Sequence, residues 1–175
     1  MKSLGRVEGY ALVMGDNVDT DTIVAARFLH YTEPGKLAEG VFYNVPELRE
    51  RLARVPRPVV IVAGRGFGYG SSREHAVLAL LAAGVKAVVA ASFHRIFYRN
   101  AINNGLLVVE YLEEPRPHLA DGDRLVVDAS RGVLEAPGRG LRWRLRSLPP
   151  RILSLVETGG LRGALERMAR GQRLE

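Results

Sequence analysis

Short apolar runs separated by polar or glycine-rich turns set the rhythm of this chain. Arg6 to Met14 alternates loosely and suits a strand. Gly15-Asp16-Asn17-Val18-Asp19-Thr20-Asp21 follows as a polar, turn-rich loop. Thr22 to Leu29 is apolar enough to resume order, and Tyr31 to Gly40, with Pro34-Gly35 inside it, predicts an exposed loop. Val45 to Val55 predicts a helix, with Pro46 suited to its first turn and Pro56 ending it. Pro58 to Gly64 is a β-branched run with no polar position, as in a strand buried on both faces. Gly-rich Gly64 to Gly70 comes next. Ser71-Ser72-Arg73-Glu74 then predicts the opening of a helix to about Ala83, with Gly84 past its end. Val85 to Ala91 predicts a second buried strand. Ser92 is placed to cap a helix that runs to Asn104 and closes at Gly105, and Leu106 to Glu110 predicts a third strand. Strand, helix, strand, helix, strand implies parallel pairing.

Past Pro115 the texture changes. Arg124 to Asp128, Val133 to Ala136 and Leu141 to Leu145 are short runs divided by turn signals (Ser130-Arg131-Gly132 and Gly138 to Gly140). They predict antiparallel strands. Pro149 to Val156 and Leu161 to Gly171 predict helices broken at Gly159-Gly160. The fold class is therefore α/β: a parallel strand–helix core, then short antiparallel strands and C-terminal helices.

Composition narrows the chemistry. At 175 residues, 47% hydrophobic and 25% charged, the chain suits one domain, residues 1–175. It has no cysteine, which excludes a disulfide framework, thiol catalysis and any thiolate-held zinc or iron–sulfur site within it. Four histidines are too few for a His-rich metal cage. No run reaches the ~18 apolar residues of a membrane span. The first residues lack the apolar core of a signal peptide, so a cytoplasmic protein is expected. The net charge of +6 is concentrated in a basic C-terminal extension: from Arg139 on, nine arginines face Glu157, Glu166 and Glu175. That charge raises a nucleic-acid-binding module as one reading, and a solvated face as the other. The helix from Ser92 to Asn104 carries Phe93, Phe97, Arg95, Arg99, Asn100, Asn103 and Asn104. It is open to the same nucleic-acid reading, or to one in which a buried helix braces the glycine loop.

Gly64-Arg65-Gly66-Phe67-Gly68-Tyr69-Gly70-Ser71-Ser72-Arg73-Glu74-His75 joins a buried strand to a helix start. Helix N-termini carry unpaired N–H groups and positive potential, and Arg73 adds a fork suited to a carboxylate. Three familiar loops fail against it. Neither Gly64-x-Gly66 nor Gly66-x-Gly68 is completed by the third glycine of a dinucleotide fingerprint, Tyr69 and Ser71 standing in its place. No lysine precedes Ser71 as a phosphate loop requires, and no glycine lies two residues beyond Ser71 as in a nucleophile elbow. Ser71 and Glu74 also fit a capping box, a reading compatible with chemistry at Ser71.

Four stretches carry a more specific likeness: GDNVDTDTIVAARFL at 15–29, GFGYGSSREHA at 66–76, AASFHRIFYRNAINNGLL at 90–107, and Asp121-Gly122-Asp123. Together they resemble the small subunit of the isopropylmalate dehydratase and homoaconitase family, the swivelling β/β/α domain of the aconitase superfamily. The resemblance implies that this domain caps a large-subunit partner holding a four-iron–four-sulfur cluster. It implies dehydration and rehydration of a hydroxy-di- or tricarboxylate. It gives Ser71 the role of base, Ser72 and Arg73 that of carboxylate holders, and Asp21 that of an acidic group supporting catalysis. Gly68, Gly70 and His75 would support the loop, with His75 one helical turn from Ser71. In this family the loop after D-T-D selects substrate. Phe28-Leu29-His30-Tyr31 resembles the isopropylmalate type in keeping the tyrosine and lacking the arginine of the homoaconitate type. His30 departs from both, and when protonated it can partly replace that arginine. Ala25-Ala26 replaces a usual Pro-Ala, and Tyr69 a frequent Cys.

Overall fold

The structure is a computed structural model that describes residues 4–70, 73–113 and 118–173. Seven strands form one mixed sheet. β1 (Arg6–Val13), β2 (Val59–Val62), β3 (Val85–Ala90) and β4 (Leu107–Glu110) are parallel, while β5 (Arg124–Asp128), β6 (Val133–Ala136) and β7 (Leu141–Arg144) add an antiparallel meander. The order is β4-β3-β2-β1-β5-β6-β7. β1 is the hinge of this order: it pairs in parallel with β2 from Tyr10↔Val59 to Val13↔Val62, and antiparallel with β5 from Arg6↔Asp128 to Tyr10↔Arg124.

The β-branched run of β2 is wholly buried because each face meets its own core. Val59 and Ile61 point into one core. It is covered by α1 (Thr20–Ile23), α2 (Pro34–Glu39), α3 (Pro46–Arg54), α4 (His75–Ala82) and α5 (Arg95–Asn104). Val60 and Val62 point into the other, with Leu125, Val127, Leu134 and Leu145, under α6 (Pro150–Glu157). The second core is enclosed because the sheet curls. Leu112 N donates to Arg144 O (3.0 Å) and Arg146 N to Glu110 O (2.8 Å), so the ends of the two edge strands meet. α7 (Gly160–Ala169) follows α6 after Gly159 and Gly160, both at positive φ, and packs on α5 and α6.

Three local expectations change. Tyr31 to Gly40 is not simply loop but contains α2. Pro34 presets the first turn, and Leu37, 2% exposed, is buried in the first core, a tertiary gain that local sequence does not display. α4 begins at His75 rather than at Ser71, with Glu74 at its N-cap making no capping bond from its side chain; the relation of His75 to Ser71 lies outside the described residues. Ser92 does not cap α5; His94 holds that position, and the Ser92 hydroxyl serves the glycine loop instead.

The region from 139 on supplies β7, α6 and α7. Arg142, Arg144 and Arg146 do share a face, opposite Glu135 (4.0 Å), Glu113 (2.5 Å) and Glu110 (3.1 Å). Arg139 pairs with Asp123. The strand arginines are thus matched by carboxylates rather than left as a bare cationic stripe.

Candidate active site

Three loops meet at the carboxyl ends of β1, β2 and β3, the place where open α/β sheets bind ligands. The acidic loop after β1 and the Gly-rich loop after β2 are laced by backbone bonds. Gly64 N donates to Gly15 O (3.0 Å), Asn17 N to Arg65 O (2.7 Å), Gly68 N to Val18 O (2.8 Å) and Thr20 N to Tyr69 O (2.7 Å). The loop after β3 closes the other side: Phe67 N donates to Ser92 O (3.1 Å) and His94 N to Phe67 O (2.9 Å). Two side chains complete the lacing. Asp16 Oδ1 accepts from Arg65 N at 2.8 Å, and Ser92 Oγ from Gly66 N at 2.9 Å.

This lacing revises the idea of a backbone anion cradle. The amides from Gly64 to Tyr69 all donate to neighbouring loops, so they build the scaffold. Gly70, just past the laced amides, is exposed.

Phe67, 1% exposed, is the keystone of the Gly-rich loop. Its ring lies edge-on to Phe93 (centroids 6.0 Å) and Phe97 (5.2 Å). Phe93 before α5 and Phe97 within it therefore brace the loop, as one of the two readings of that segment holds, and Phe97 is buried. Asn104 of α5 extends the brace, donating through Nδ2 to Glu74 Oε1 (2.7 Å) and to Asn100 O (2.8 Å).

The individual candidates fall as follows. Ser71 and Ser72 lie outside the described residues. Arg73 is exposed immediately before α4, and His75 is the half-buried first residue of that helix. Asp19 caps α1, its Oδ1 accepting from Thr22 N at 2.6 Å, and forms a parallel bridge with Tyr69. Asp21 stands two residues on, exposed in the first turn of α1. The lacing thus joins Thr20, the neighbour of Asp21, to Tyr69 near the end of the Gly-rich loop. His30 and Tyr31 form a separate ring pair (4.0 Å) after a 3-10 turn over Ala26–Phe28, with Tyr31 also 6.1 Å from Phe28. Arg65, Arg73, Arg95 and Arg99 are exposed on the Gly-rich loop, before α4 and on α5, and Asp16, Asp21 and Glu74 are exposed on the neighbouring loops. Asp16 and the Ser92 hydroxyl were not foreseen in these roles; a polar residue in a loop carries no sequence mark of which amide it will meet.

Among the described residues no group of three or more His, Asp or Glu side chains is arranged to hold a metal ion. With no cysteine in the sequence, the chain offers no donor set for a thiolate-held cluster.

The aconitase C-terminal domain model matches residues 11–114, which span the three loops and the parallel half of the sheet. This chain belongs to that family. Within it, the chain is similar to 3-isopropylmalate dehydratase small subunits. It is 45% identical to small subunit 1 of Archaeoglobus fulgidus over 154 residues, 87% of this chain and 92% of that one. It is 45% identical to the small subunit of Nitratidesulfovibrio vulgaris over 168 residues, 93% and 98% of the two chains. The crystal structure of 3-isopropylmalate dehydratase from Methanocaldococcus jannaschii superposes with a TM-score of 0.83 at 34% identity, covering 94% of this chain and 96% of that one. The aconitase swivel fold inferred from the four sequence stretches is thereby shown.

Proposed function

We propose that the chain is the small subunit of a 3-isopropylmalate dehydratase, interconverting 2- and 3-isopropylmalate for leucine biosynthesis in the cytoplasm. The observation that supports the reading is the backbone lacing of the acidic loop, which carries Asp21, to the Gly-rich loop that precedes Ser71 in sequence, in a chain of this family. On this reading the chain acts as one swivel domain over a large-subunit partner. That partner's four-iron–four-sulfur cluster supplies Lewis acidity toward the departing hydroxyl.

The work of this chain is on the proton and the carboxylates. Ser71, set in positive potential, takes the proton from one substrate carbon in dehydration and delivers a proton to the neighbouring carbon, which lost the hydroxyl, in rehydration. A serine hydroxyl is no base in water. It requires the nearby arginine charge and a site closed to solvent, which the large subunit provides. Arg73 holds a substrate carboxylate through its two-pronged guanidinium, with Ser72 as a further donor. Asp21 supports the reacting groups from the neighbouring loop. His30 and Tyr31 face the variable substituent, with Tyr31 packed on Phe28 suited to a branched apolar group. Exposed His30 favours a second reading, homoaconitate or a related hydroxy acid, when its ring is charged.

The test is reconstitution with a cluster-bearing large subunit and side-by-side assay of isopropylmalate and homoaconitate. The chain alone is expected to be inactive, and the complex to prefer isopropylmalate. Ser71→Ala should lower kcat by about 10²–10⁴-fold while leaving assembly intact. Full turnover by Ser71→Ala, or a preference for homoaconitate, overturns the respective assignment.

A further inference from the structure

β1 loses its antiparallel neighbour before it ends. β5 accompanies it only to Tyr10↔Arg124. Ala11 is served by the turn before β5: Ala11 N donates to Asp123 O (2.8 Å), and Ala11 O accepts from Gly122 N (2.8 Å). On that side of the strand the next peptide groups are those of Val13, and there two side chains take the place of a neighbouring backbone. Val13 N donates to Asp121 Oδ1 at 2.8 Å, and Arg51 Nη2 donates to Val13 O at 2.5 Å. The two side chains are themselves joined in a fork, Arg51 Nε to Asp121 Oδ2 (2.6 Å) and Arg51 Nη2 to Asp121 Oδ1 (3.0 Å). One donor and one acceptor facing Val13 reproduce what a paired strand would offer.

The location gives the imitation its significance. Val13 is the last residue of β1, and the laced acidic loop begins at Met14. Arg51 comes from α3 and Asp121 from the Asp121-Gly122-Asp123 turn, so three distant segments converge on one residue at the root of that loop. Both side chains are only about one-third exposed, at 34% and 29%, which limits solvent competition.

We infer that the Arg51–Asp121 pair positions the candidate active site by standing in for the missing strand at Val13, holding the acidic loop and α1 with Asp21 in register with the Gly-rich loop. Their bonds go to Val13 and to each other, and neither belongs to the Ser71–Arg73 motif, so both are assigned a positioning role. The role in turnover rests on the proposed function; the role in holding the loop does not.

Two measurements separate these. Amide hydrogen exchange on the full chain reads the lacing directly. In Asp121→Ala and in Arg51→Ala, the amides of Asn17, Thr20 and Gly68 should exchange at least about tenfold faster, while Val88 and Val89 in β3 stay protected. Asp121→Asn keeps an oxygen for Val13 N and should lie between, which guards against an alanine variant that fails to fold. In the assembled enzyme, Asp121→Ala should lower kcat about tenfold or more with a smaller change in KM, and Arg51→Lys should recover part of the loss seen in Arg51→Ala. If Asn17, Thr20 and Gly68 exchange no faster in these variants than in the wild type, the inference is overturned, whatever the turnover. If they exchange faster and the wild-type complex does not act on isopropylmalate, the clamp stands and the proposed function fails.

Discussion

Gly68 and Gly70 show how differently two glycines of one loop are constrained. Gly68 has φ +84°, and a Cβ there would sink into the Phe97 side chain, itself 3% exposed and locked against Phe67. Gly70 has φ +110°, but its nearest neighbour would be Thr20 Oγ1 at 3.1 Å, a side-chain tip. Gly68→Ala combines strain with overpacking and should cost about 2–4 kcal/mol, while Gly70→Ala, mostly strain, should cost about 1–2 kcal/mol. Urea unfolding of the two variants checks the order. Both glycines stand out in the sequence; that Gly68 is a packing glycine and Gly70 a conformational one depends on Phe97 and Thr20, which come from other elements.

At the scale of elements, α4 and α5 act as one unit at the site. The apolar stretch Ala76 to Ala83 could have faced the core or a partner; Ala76, Val77, Ala79 and Leu80 are fully buried in the first core. The bond from Asn104 to Glu74 ties the last turn of α5 to the N-cap of α4, a link across 30 residues. Removing it in Asn104→Ala should cost about 0.5–1.5 kcal/mol, seen as a lower urea midpoint. It should also raise hydrogen exchange at Val77 and Leu78, whose amides form the first turn of α4 on Glu74 O. Asn103 and Asn104 are alike in sequence. Only the angle at which α5 crosses the loop selects Asn104 for this bond.

For the whole molecule, charge is organised where the sheet changes character. Burial pushes the Asp121 carboxyl up, but bonds from Arg51 and Val13 N and the Arg51 charge outweigh it and leave it below the ordinary carboxylate value. Asp123 is lowered in the same way, burial opposed by Arg139 and the Ala120 amide. A carboxyl depressed in the folded state contributes stability that is fully present above its unfolded pKa and lost as pH falls through the folded value. The chain should therefore lose stability as pH drops below about 4, the unfolded aspartate range. Asp121→Asn should flatten that loss, as urea midpoints measured between neutral and acid pH will report; an unchanged slope counts against the pairing. The strand arginines, 64–74% exposed, add little to stability through Glu135, Glu113 and Glu110. Those carboxylates do temper the local positive field that suggested nucleic acid.

Strand and helix periodicity, the punctuating glycines and the four stretches of likeness were enough to establish the α/β class, the two consecutive βα units with their third parallel strand, and the late antiparallel meander, and they named the residues proposed for the site. These are local properties: burial on both faces demands continuous apolar runs, and helix ends demand glycine at positive φ. The central place of β1, the curling of the sheet and the lacing of the site loops were decided only in three dimensions. β1 meets β5 across more than a hundred residues, and an amide or a guanidinium carries no record in sequence of the distant acceptor it will find. That is why Ser71 and Arg73 could be singled out from their motif, whereas Asp16, Ser92 and the Arg51–Asp121 clamp emerged only when the chain ends of three strands were brought together.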